Sequence, residues 1–110
     1  MVKQGDIIKV SFNPQLGHEQ AGYRPALIVS NDFFNAKAKL VLACPISNTQ
    51  KPFPLHLPLP ADLQTTGAVF CEHIKSLDLQ AREFQVVEAV NRDFLEKVLK
   101  VINAEIESLD

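Results

Sequence analysis

The chain has no tryptophan, one tyrosine, one methionine and two cysteines in its 110 residues. An interaction module that grips proline-rich ligands needs a groove of aromatic rings, and this composition does not supply one. Cys44 and Cys71 each lie inside an apolar stretch and are expected to be buried free thiols rather than a disulfide framework. The three histidines, His18, His56 and His73, have no ligand-like spacing among themselves or with the cysteines, so no metal and no cofactor is assigned. No apolar run approaches the roughly 20 residues of a membrane span. Met1-Val2-Lys3-Gln4 leads straight into strand pattern rather than a signal peptide, so the expected compartment is the cytoplasm. A basic excess is missing too. The formal net charge is −2, with eight basic and eight acidic side chains in residues 1–90 and three and five in residues 91–110. The field of the whole molecule will not steer a polyanion, so any such contact must use a local cluster.

What is present is concentrated near the front. From Phe12 to Ser30 the chain reads FNPQLGHEQAGYRPALIVS, a polar loop followed by the second of two strand-like runs. Ile7-Ile8-Lys9-Val10 lies before the loop and Ala26-Leu27-Ile28-Val29 after it. Pro25 fixes its own φ and keeps Arg24 out of the helical region, so Arg24 enters the second strand extended. A guanidinium at a rigid strand root, with Gly17 and Gly22 letting the loop fold back to shield it, suits a phosphate. His18, Glu19 and Gln20 at the loop tip add hydrogen-bonding capacity. A surface salt bridge between Arg24 and Glu19 is the plainer reading. The loop exceeds the usual hairpin connection of about two to five residues, which favours binding. Spacing alone yields a candidate anion site.

The rest reads as one domain, residues 1–110, with several short strands and a terminal helix. Asp6 to Phe12 and Arg24 to Ser30 are expected strands, and Ser30-Asn31-Asp32 a cap for a helical turn over Phe33 to Ala38. Lys39 to Cys44 is a strand that Pro45 is expected to end. In Phe53-Pro54-Leu55-His56-Leu57-Pro58-Leu59-Pro60 the prolines remove donors from one side, which marks a sheet edge that resists adding another chain. Ala68 to Glu72 and Ile74 to Leu79 read as extended, and Phe84 to Ala89 as strand or loop. Asn91 caps a helix with Asp93 in its first turn. Its apolar stripe is Leu95, Leu99, Ile102, Ile106 and Leu109, widened by Phe94 and Val98.

The stretch Asn13 to Ala26, NPQLGHEQAGYRPA, resembles the signature of the MazF/PemK (Kid) family of toxin endoribonucleases. The resemblance continues in order through Ala43-Cys44-Pro45-Ile46-Ser47 and Gly67-Ala68-Val69 to Ile74-Lys75-Ser76-Leu77-Asp78. It implies a mainly β fold, a small SH3-like barrel of the CcdB/MazF type with a C-terminal α-helix, usually a homodimer. It also implies a cognate antitoxin and metal-independent cleavage of single-stranded RNA, in which the 2′-hydroxyl attacks the adjacent phosphate.

That chemistry needs a proton removed, charge on the phosphorane stabilised, and the leaving 5′-oxygen protonated. Arg24 suits the second task, with a planar fork for two phosphate oxygens. Ser47 stands where the family usually carries Thr; its hydroxyl can donate to the phosphate or simply cap a strand end. Asn48 can supply a second donor. Glu19 is the acid of the signature and can act as base if shielded, while His18 titrates nearer neutrality. Glu72 matches an acidic family position, but the Arg that precedes it by two residues in the Kid branch is Phe70 here. Lys75 matches a basic position and can serve a flanking phosphate or remain solvated. Gln20 and Tyr23 can read or stack bases. The competing class is a non-enzymatic inhibitor toxin, a gyrase poison of the CcdB type; a shielded cation at a strand root favours the nuclease.

Overall fold

The computed structural model describes residues 2–11, 23–48 and 52–108. His18, Glu19 and Gln20 lie outside the described residues. Among those described, the chain runs β1 (Asp6–Ser11), β2 (Tyr23–Ile28), α1 (Asp32–Ala38), β3 (Val41–Ser47), β4 (His56–Pro58) and β5 (Ala68–Phe70). A 3-10 turn (Cys71–His73), β6 (Lys75–Leu77), β7 (Phe84–Ala89) and α2 (Arg92–Ile106) follow. The strands form one antiparallel sheet in the order β4-β5-β3-β2-β1-β7, with β6 also on β3. This is a small, barrel-like β fold closed off by a C-terminal helix.

Period-two alternation gives the sheet two apolar faces. Ile7, Leu27, Val29, Cys44, Ile46, Val69 and Cys71 point to one side, where Phe94, Val98 and Ile102 of α2 cover them. Each of those three helix side chains contributes about 1.5–3 kcal/mol relative to exposure. Ile8, Val10, Ala26, Ile28, Val41, Ala43 and Leu77 form a second cluster on the other side. Asn91 caps α2 by accepting from the Phe94 N–H at 2.7 Å, and Asn31 caps α1 in the same way.

Three expectations need correction. Pro45 does not end β3, which runs on to Ser47. On its outer edge β3 pairs with β6 over Val41–Ala43 and with β5 from Ile46, so Pro45 stands in the gap where a missing donor costs least. The segment read as a strand to Glu72 stops at Phe70 and tightens into the 3-10 turn. The stripe of α2 is centred on Phe94, Val98 and Ile102, and Ile106 is 74% exposed because the last turn runs past the core. The proline-rich segment does form the sheet edge, as the three-residue strand β4.

Candidate active site

Arg24 is the second residue of β2, opposite Val10 of β1. It sits at the strand root as expected and is exposed; the loop expected to fold back over it lies outside the described residues. The β2–β3 ladder pairs Ala26 with Pro45; Arg24 lies two residues before the former and Ser47 two after the latter. Both therefore occupy the same end of the ladder and, by alternation, the same face. Ser47 is half-buried at the end of β3, opposite Ala68 of β5.

A glycine fixes that end. Gly67 has φ +115°, and a Cβ there would lie 2.5 Å from the Ser47 carbonyl oxygen. The turn before β5 thus rests directly on the backbone of Ser47 and Asn48. The Thr66 hydroxyl donates to Asn48 Oδ1 at 3.2 Å, so one acceptor of exposed Asn48 is already engaged.

The remaining expected residues do not converge as tightly. Lys75 is exposed opposite Ala43, four residues back along β3 from Ser47, roughly 13 Å along the strand. It shares that face. Tyr23 falls on the opposite face from Arg24 by alternation, and its hydroxyl donates to Glu83. That carboxylate raises the phenol above its ordinary titration range. Arg82 Nη1 donates to the Ser11 carbonyl at 2.6 Å. Ser11 and Tyr23 are register partners, so Arg82 and Glu83 together hold the two strand ends beside Arg24.

Glu72, in the 3-10 turn, faces His56 Nε2 at 2.6 Å through Oε2, with His73 Nε2 at 3.6 Å. Burial disfavours its charge, yet hydrogen bonds from His56 and the backbone, with the nearby histidines, hold its carboxyl below the ordinary range. Its Oε1 is buried without a hydrogen-bond partner among the described residues. His56 is the residue the sequence reading missed, absorbed there into the proline-spaced edge. The one available signal was a titratable side chain standing alone in an apolar run. Its ring stacks on Phe70.

The cysteines take no part. Burial pushes the Cys44 thiol up to about 12 and the Cys71 thiol up to about 11, so neither supplies a thiolate. A cleft of about 430 Å³, lined by Val2, Leu40, Val41, Leu79 and Phe84 among others, lies beside α1 and includes none of the residues above.

The chain belongs to the PemK-like, MazF-like toxins of type II toxin–antitoxin systems, whose family model matches residues 3–106. Among individual relatives, the endoribonuclease toxin MazF of Escherichia coli K12 is 35% identical over 78 residues, 71% of this chain and 69% of that protein. A crystal structure of MazF from Deinococcus radiodurans superposes with a TM-score of 0.82 at 33% identity, covering 96% of each chain. A MazE–MazF structure from the same organism matches with a TM-score of 0.81 at 28% identity, over 96% of this chain and 94% of that one.

Proposed function

We propose that the protein is an endoribonuclease that cuts single-stranded RNA at specific sequences, as the toxin of a toxin–antitoxin pair. The observation that carries the reading is the placement of Arg24 and Ser47 at one end and on one face of the β2–β3 ladder. Arg24 binds two non-bridging oxygens of the scissile phosphate, and the Ser47 hydroxyl donates to the same group, with Asn48 beside it. The 2′-oxygen forms a bond to phosphorus while the bond to the 5′-oxygen breaks, leaving a 2′,3′-cyclic phosphate and a 5′-hydroxyl. The 2′-hydroxyl proton passes to a base, for which Glu19 is the candidate, and the leaving oxygen takes up a proton. Atoms and charge balance without a metal.

His18 and Gln20, on either side of Glu19 in the sequence, serve the substrate with it, and Lys75 and Glu72 flank it. The relatives' designation as endoribonucleases supports this reading over a CcdB-type gyrase poison. The partner is a cognate antitoxin whose acidic, hydrophobic segment competes with phosphate for Arg24. The working form is a cytoplasmic homodimer.

Incubation of purified protein with a long single-stranded RNA in EDTA tests the activity. Discrete fragments ending in cyclic phosphate are expected. Intact RNA under all such conditions would overturn the reading.

A further inference from the structure

The rings on β4 and β5 are not used by the chemistry above. His56 is only 13% exposed. Its ring lies flat on Phe70, 3.6 Å between centroids and 5° between planes, and Phe53 meets it edge-on at 4.9 Å. Nε2 lies 2.6 Å from the Glu72 carboxylate. Among the described residues, the titratable groups that act on the pair are His73 from the 3-10 turn, Glu105 of α2 on the helix side, and the buried thiols of Cys71 and Cys44.

Register places this group beside the proposed site. Ser47 pairs with Ala68, and Ala68 with Pro58. His56 and Phe70 are the next same-face pair along those two strands. The ring stack is therefore one row from Ser47, on the face that carries Arg24.

We infer that His56 is a substrate-positioning residue, whose protonation sets the charge that the His56–Glu72 pair presents to the RNA backbone. The inference rests on the reading that this face binds RNA. With a neutral imidazole the pair carries one negative charge and repels phosphate. With the imidazole protonated the pair is neutral, and the repulsion is removed. RNA affinity is therefore higher with the imidazole protonated than with it neutral. His56 acts through Glu72 and need not touch the reacting atoms.

The test uses fluorescence anisotropy with a 2′-O-methylated oligoribonucleotide, which lacks the attacking hydroxyl and cannot be cut. Affinity is measured near pH 5.5 and near pH 8 across a salt series. Wild type should bind roughly three- to tenfold tighter at the lower pH, with a log–log salt slope steeper by about 0.7 for one effective charge. His56→Gln keeps an N–H that can reach Glu72 but carries no charge, and should lose most of that difference. Any contribution from His18 is common to both proteins and cancels. Equal pH dependence in wild type and His56→Gln overturns the inference, as does an equal loss in His73→Gln. Absence of wild-type binding at both pH values instead defeats the RNA reading, and the inference with it. If His56→Gln does not fold, nuclear magnetic resonance on wild type serves. The His56 midpoint must rise when the oligonucleotide is added, by reciprocity of coupled binding, and an unmoved midpoint overturns the inference.

Discussion

Arg24→Ala and Arg24→Lys should both remain folded, because the side chain is exposed and buries no core surface. Both should lose on the order of a hundredfold in RNA cleavage, since neither offers the planar fork that a phosphorane uses. Full activity in a folded Arg24→Ala protein would remove Arg24 from the mechanism. Ser47→Thr should keep activity and Ser47→Ala should lose at least about tenfold; three equal rates would leave Ser47 a strand-end residue. The neighbouring placement of these two proposed site residues was partly legible in the sequence. Pro25 dictates the backbone of its neighbour Arg24, and Ser47 stands where the resembled family usually carries Thr. His56 was not legible. Its meaning comes from a hydrogen bond to Glu72 sixteen residues away and from stacking on a register partner in β5. No periodicity along one strand reveals which residue of another strand will face it.

The turn before β5 is the element on which the site end depends most. Gly67→Ala places a Cβ against the Ser47 carbonyl and forces a left-handed backbone on a residue with a side chain. A loss of more than about 1 kcal/mol in urea unfolding is expected, with cleavage falling further than stability. An unchanged midpoint and rate would show that the turn does not set Ser47. A second tether joins the preceding loop to β7: Glu88 accepts from the Thr65 hydroxyl and from the Gln64 and Thr65 N–H groups, at 2.7 to 3.0 Å. The Thr65 hydroxyl bond, opposed by burial and helped by the backbone bonds, lowers the Glu88 titration from 4.5. A carboxyl lowered in the folded state adds stability above its unfolded value and loses it as pH falls through the folded one. Glu72 has the same sign, while Glu105, raised by burial and by Glu72, adds stability that is lost as pH rises through its folded value. Glu88→Gln should therefore weaken the protein at neutral pH and flatten its acid-unfolding curve below about pH 4.5. A curve parallel to wild type would exclude the tether. The sequence indicated both helix caps and the proline-spaced edge, because cap and proline chemistry is local. It misplaced the end of β3, because whether Pro45 is tolerated depends on which strand lies opposite.

At the scale of the molecule, Phe33, Leu40, Phe84 and Val86 are exposed, and Leu40 and Phe84 line the apolar cleft beside α1. A second copy of the chain covering such surface accords with the proposed homodimer. Sedimentation equilibrium at tens of micromolar should show a dimer, and monomer alone would exclude it. The order of the sheet has a further consequence, in time rather than in space. β1 is made well before β7, yet β7 is its outer neighbour, through pairs such as Asp6 with Ala89. Beyond β7, the cluster around Ile7 and Cys44 still awaits α2. At synthesis rates of about 5–20 residues per second, several seconds separate the emergence of Arg24 from the last contacts that hold its strand. A chain extended only as far as β7 has Arg24 and Ser47 present but the sheet still lacks its helix cover. The strand that carries Arg24 is therefore fully packed only after α2 has been made.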